Sequence, residues 1–245
     1  MPLTQPDFST PCLLHPSEVH LWLLDMRYFS REQHAEALAI MSAAEITRAE
    51  KFKRGEDEFI ASRWLLRSVL ARYLSVSPAA VEFLRTDRGK PYLPQSDIHF
   101  SLSHSGDWAV LAVGKIELIG VDVEALKKTR NLLGIAESYY HPHEVAYLQT
   151  LGSAAQADYF YRLWTLKEAF FKALGTGISA GLDKIHFVLD ADAITATPEP
   201  SLNAPHKWQF HQWELSSTDY CALAYTGAAP VAVKWFNAFS APAFP

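Results

Sequence analysis

Two cysteines, Cys12 and Cys221, are all that the 245-residue chain carries. They stand far apart, show no metal-type spacing, and cannot build the disulfide framework on which small secreted domains depend. Both therefore read as unpaired thiols of a reducing compartment. Charge is sparse too: charged residues make up 20% of the chain and the formal net charge is −5. Bulk charge attracts no polyanion, so nucleic acid is not an expected partner, and any anionic ligand must be met by local groups. No stretch of about 18 apolar residues occurs, and the first residues, with Pro2, Pro6, Asp7 and Pro11, show no basic segment followed by an apolar run. The expectation is a cytoplasmic protein with no membrane association. A GxSxG elbow is missing, and Ser103 and His104 have no matching acid, so a nucleophile triad is unsupported. A phosphate-binding P-loop is missing as well, because Lys90 is followed by Pro91 rather than by a helix-opening Ser or Thr.

Hydrophobic residues reach 49%, enough for one large core or two small packed halves. VHLWLL at 19–24 reads as an early buried strand. The chain turns helical from Ser30, and Ser42 with Glu45 matches a capping box. A longer helix is expected from Asp57 to Leu74, with Phe59, Leu65, Leu66, Val69, Leu70 and Tyr73 as its apolar stripe. HFSLSHSGDWAVLAVG predicts two strands around a Ser-Gly-Asp turn, and IELIGVDVEAL a third. Helices over 142–151 and 153–174 follow, the second stopped by Gly175 and Gly177. Strands over 184–189, 208–215 and 220–225 then suggest an antiparallel sheet, and Pro242 and Pro245 a loose tail. Strands and helices do not alternate strictly, so the class is α+β. No repeat or low-complexity linker marks a boundary; the division expected is 1–118 and 119–245.

The sharpest chemical feature is GVDVE at 120–124, where strand alternation puts Asp122 and Glu124 on one face. Two carboxylates held a few Å apart repel unless one is protonated or a cation lies between them, and oxygen donors suit Mg²⁺. An exposed strand end with two solvated acids gives the same pattern. In WTLKEAFFK, Glu168 and Lys172 are spaced i, i+4 and share a helical face, either acting on one ligand or forming a surface ion pair. Many apolar residues surround Glu168, where an unpaired acid is costly and a cation would relieve that cost. Ser101, Ser103 and His104 at a strand end are phosphate-type donors, or merely structural. Arg85, Arg88 and Lys90 surround Gly89, whose bare backbone can approach a ligand closely. Arg48, Lys51, Lys53 and Arg54 form a second basic cluster; such runs are usually solvated faces. His141, His143 and Glu144 match no familiar metal spacing and receive no role.

In order along the chain, GKP, SLSHSGDWAV, GVDVE and LWTLKEAFFKALGTGI resemble the surfactin-synthetase type of 4′-phosphopantetheinyl transferase, from about Ser42 to Tyr225. The resemblance implies two similar α/β halves related by a pseudo-two-fold axis, coenzyme A and Mg²⁺ in the cleft between them, and a monomer. It makes Asp122, Glu124 and Glu168 the metal ligands, with Asp122 also on the cofactor side. Lys172, Ser103 and His104 would contact the coenzyme A phosphates. Gly89, Lys90 and Pro91 would line the adenine and ribose side, next to Arg85 and Arg88, and Arg48 would meet the 3′-phosphate. The implied reaction moves the phosphopantetheine arm of coenzyme A to a serine of an apo acyl- or peptidyl-carrier protein, with Glu168 as base and Lys172 stabilising the departing adenosine 3′,5′-bisphosphate. A Mg²⁺-dependent phosphohydrolase, or a coenzyme A-binding module without turnover, are the competing readings.

Overall fold

A computed structural model describes residues 11–126, 131–190, 193–205 and 207–238. The first elements are β1 (Glu18–Asp25), α1 (Arg31–Ile40), α2 (Ala43–Ala49) and α3 (Glu56–Leu74). Two short strands, β2 (Leu84–Arg85) and β3 (Pro91–Tyr92), precede β4 (His99–Ser105), β5 (Trp108–Gly114) and β6 (Ile119–Ala125). Three helices follow: α4 (Leu132–Tyr139), α5 (Pro142–Thr150) and α6 (Ser153–Leu174). The chain closes with β7 (Ile185–Leu189), β8 (Ile194–Pro198), β9 (Trp208–Ser216), β10 (Asp219–Thr226) and β11 (Ala232–Asn237). The class is α+β, as expected.

The described residues fall into two compact units: 11–84, 91–115 and 231–238 in one, 85–90 and 116–230 in the other. The expected division was a single cut after residue 118; here the middle segment of the first unit ends at residue 115. The turn at 85–90 belongs with the second unit, and β11 returns to the first. The loose tail expected around Pro242 and Pro245 lies outside the described residues.

In the first unit the sheet order is β11-β1-β5-β4. β1 runs antiparallel to β5 and parallel to β11, with Leu21 opposite Trp235. β4 and β5 form the expected hairpin, its turn opened by Gly106 at φ 58. Helix α3 packs on β4 and β5. Its stripe buries Phe59, Leu65, Leu66, Val69 and Leu70 with Trp22, Leu24, Phe100 and Leu111 in one core. The Ser42 box is formed: Glu45 N–H donates to Ser42 Oγ at 3.3 Å and Ser42 N–H to Glu45 Oε2 at 2.9 Å. The same Glu45 oxygen accepts from Arg67 at 2.7 Å, which ties α2 to α3.

In the second unit the sheet order is β6-β10-β9, all antiparallel, and α6 lies against β6 and β10. β7 was expected in this sheet; it pairs with β8 as a separate hairpin instead. The core joins Phe160, Leu163, Leu166, Phe170 and Phe171 of α6 to Ala222 and Ala224 of β10. Gly175, at φ 70, ends α6 in the left-handed conformation that glycine adopts without steric cost, its N–H donating to Phe171 O at 2.9 Å.

Candidate functional site

The site is built where β6 meets α6. A Cβ on Gly120 would lie 2.0 Å from the carbonyl oxygen of Ala169 and 2.5 Å from the amide nitrogen of Ala173, so only glycine lets the strand approach the helix this closely. Asp122 and Glu124 share the alternation of Gly120 and therefore share the helix-facing side. Opposite Asp122 on β10 stands Ala222. On α6, one turn separates Glu168 from Lys172. The Lys172 ammonium donates to Asp122 Oδ1 at 2.6 Å, which fixes helix and strand in register.

Burial disfavours the charged form of Glu168 and, with the nearby charges of Asp122 and then Glu124, pushes its carboxyl up to about 7; Lys172 pulls the other way. Among the groups that act on Glu168, two acids outnumber one cation. Three carboxylates with that surplus of negative charge are the donor set of a hard, oxygen-seeking divalent cation, so the residues present fit Mg²⁺. The arrangement also leaves a proton acceptor poised near neutrality on the edge of the core, next to a fixed ammonium.

Lys90, expected to face the adenine and ribose, also belongs to this unit. Its ammonium donates to the carbonyls of Ala173, at 2.7 Å, and Ile119, at 3.3 Å, where it caps the negative end of α6 and holds the start of β6. Burial pulls it down to about 8, with Glu117 opposing. Its position is reached through a tight turn: Gly89 sits at φ 85, Gly89 N–H donates to Thr86 O at 2.8 Å, and Arg85 Nη1 donates to Gly89 O at 2.8 Å. Arg88 is exposed on the same turn.

Arg48, Pro91, Ser103 and His104 lie in the other unit. Arg48 is exposed at the end of α2, its guanidinium 5.4 Å from the Phe59 ring centre. Ser103 is buried and His104 exposed near the end of β4.

One pair went unread in the sequence. The buried ammonium of Lys167, one residue before Glu168, meets Glu144 at 2.8 Å and donates to the carbonyls of Leu182 at 2.9 Å and Ile185 at 2.5 Å. Glu144 in turn accepts from Phe187 N–H at 2.8 Å and from His141 N–H at 3.0 Å. This fully satisfied pair joins α5, α6 and β7 and fixes the rotation of α6 that aims Glu168 and Lys172 at β6. The signal in the sequence was Glu144 at the third helical position after His141, a capping arrangement with an unusual cap.

The chain is similar to known proteins over most of its length. Residues 118–225 match the family model described as the 4′-phosphopantetheinyl transferase superfamily, and residues 29–116 match 4′-phosphopantetheinyl transferase, N-terminal. The chain is 36% identical over 213 residues to 4′-phosphopantetheinyl transferase HetI of Nostoc sp., covering 84% of this chain and 86% of that one. It is 34% identical to a 4′-phosphopantetheinyl transferase of Bacillus subtilis and 31% identical to the transferase Sfp of Bacillus subtilis strain 168; each match covers 73% of this chain and 80% of the relative. With the carboxylates and Lys172 all inside the first match, the chain belongs to the 4′-phosphopantetheinyl transferase superfamily.

Proposed function

We propose that this chain transfers the 4′-phosphopantetheine group of coenzyme A to a serine hydroxyl of an apo acyl- or peptidyl-carrier protein, releasing adenosine 3′,5′-bisphosphate, and that it requires Mg²⁺. The observation that carries the reading is the convergence of Asp122, Glu124, Glu168 and Lys172 on the meeting of β6 and α6.

Asp122, Glu124 and Glu168 would hold the ion, whose chemistry when bound is to neutralise the pyrophosphate of the donor. Glu168 takes the proton of the carrier serine as that oxygen forms its bond to the β-phosphorus. The bond from that phosphorus to the oxygen of the adenosine bisphosphate breaks, and negative charge gathers on the departing oxygen. Lys172 exchanges its contact with Asp122 for that charge, a short motion of an ammonium already at the site. The carrier supplies the nucleophile, which is why the chain needs no activated serine or cysteine. On this reading Arg48, Ser103, His104, Arg85, Arg88 and the Gly89–Pro91 turn contact coenzyme A. For Lys90 that role must coexist with its carbonyl contacts to α6 and β6.

The protein is proposed to act as a monomer in the cytoplasm, where the free thiols of Cys12 and Cys221 would remain reduced. Among the described residues no helix is long and apolar enough to cross a membrane.

Mass spectrometry of apo-carriers incubated with coenzyme A, with and without Mg²⁺, tests the reading. The expected result is a gain of one phosphopantetheine group, dependent on Mg²⁺ and lost in Asp122→Ala. Release of free phosphopantetheine with the carrier unmodified would establish a hydrolase instead.

A further inference from the structure

The N-terminus of α5 and the strand β7 bring together three imidazoles that the transfer chemistry does not use. His141 is the N-cap of α5 and His143 its second residue, while His186 follows the buried Ile185 on β7 and points to the opposite, more exposed face. One ligating atom from each of the three lies within 4.8 Å of the other two. The His141 and His186 rings are stacked with centres 4.6 Å apart, and His143 stands edge-on to both, at 4.9 and 5.4 Å.

We propose that His141, His143 and His186 form a binding site for one borderline divalent transition-metal ion, of which Zn²⁺ is the type, separate in its elements from the carboxylate site of β6 and α6. Neutral imidazole nitrogen is the donor such ions prefer, and an all-nitrogen set discriminates against Mg²⁺. Zinc–nitrogen bonds of about 2.0–2.1 Å at a tetrahedral ion bring the ligand atoms to about 3.3 Å of one another. The cluster must therefore tighten by at most about 1.5 Å, which side-chain rotation supplies because none of the three rings is buried. The fourth position is left for water.

The frame that holds the imidazoles is rigid and independent of them. Glu144, buried between His143 and the strand, binds His141 N–H at 3.0 Å and Phe187 N–H at 2.8 Å, and is neutralised by Lys167 at 2.8 Å. It therefore sets the spacing of α5 and β7 without itself being a ligand. Loading the site need displace only the long contact in which His143 N–H donates to His141 Nδ1 at 3.3 Å. Helix α5 stays started by Glu144 when that contact is lost. The ion would clamp α5 to β7 and raise the stability of this unit without entering the transfer reaction.

The test is isothermal titration of Zn²⁺ into the full-length protein in saturating Mg²⁺, with thermal melts in parallel. The expected result is one equivalent bound in the low-micromolar range or tighter, with a rise in Tm. His143→Ala, exposed and so free of folding cost, and His186→Ala should each weaken binding by about tenfold or more and abolish the rise. Transfer activity in Mg²⁺ alone should be unchanged in His143→Ala. Asp122→Ala should still bind its equivalent of Zn²⁺. The proposal is overturned if the wild-type protein takes up no Zn²⁺ in that range, if both histidine variants bind it within twofold of wild type, or if Asp122→Ala loses it.

Discussion

Glu168→Gln should make the metal-free protein more stable while removing its activity. The carboxyl is held at about 7 in the folded chain against an ordinary 4.5, chiefly by burial and by Asp122. Between those two values the folded state binds more protons than the unfolded one, so stability falls as pH rises through that window. At pH 8 the whole penalty is present and amounts to about 3 kcal/mol, taking 1.36 kcal/mol for each tenfold displacement of the equilibrium. At pH 5 it has shrunk to about 1 kcal/mol or less by the same relation. Glutamine keeps the shape and has no charge to bury, so the variant escapes the penalty. Urea unfolding in EDTA at pH 5 and pH 8 measures the difference. The variant should exceed wild type by up to about 3 kcal/mol at pH 8, by about 1 kcal/mol or less at pH 5, and gain less than wild type from added Mg²⁺. A Glu168→Gln protein less stable than wild type at pH 8 in EDTA would show instead that Glu168 is a favourably paired ion.

Gly120→Ala places a methyl group 2.0 Å from a backbone oxygen of α6, so it should cost about 3 kcal/mol or more and abolish transfer by moving Asp122, as denaturant melts and residual turnover would show. Glu144→Ala strands the Lys167 ammonium in the core and leaves Phe187 N–H without its acceptor; an unfolding free energy lower by about 3–5 kcal/mol is expected in the same melts. Lys90→Ala should lower stability by about 1–3 kcal/mol even without coenzyme A, through the carbonyls of Ala173 and Ile119; a Tm equal to wild type would mean that Lys90 serves coenzyme A alone.

What could be read from the sequence was what is encoded locally. The Ser42 cap, the apolar stripe of α3, the turn at Gly106 and the stop at Gly175 each depend on a few adjacent residues, and each is formed. The two halves of the proposed site were also local: alternation put Asp122 with Glu124, and helical spacing put Glu168 with Lys172. Long-range pairing carried no such signature. Nothing in AVKWFN at 232–237 specifies parallel pairing with β1, so the first unit's last strand was missed. The apolar segment 185–189 reads the same whether it joins β9 and β10 or pairs with β8. The carbonyl contacts of Lys90 carried no signature, because their acceptors, Ala173 and Ile119, are far away in sequence and are backbone atoms. Gly120 looked like any strand glycine until the backbone of α6 was placed against it. The pair His141 and His143 lacked a third partner until β7 supplied His186.

The carboxylates of β6 and α6 are proposed to drive transfer of phosphopantetheine to a carrier serine. Single-turnover transfer to an apo-carrier in Mg²⁺, with coenzyme A binding followed in parallel for wild type and Glu168→Gln, tests it most directly. The expected outcome is a carrier heavier by one phosphopantetheine group with wild type, and with the variant measurable coenzyme A binding but an unmodified carrier that raising the pH does not rescue. Undiminished transfer by Glu168→Gln would contradict it.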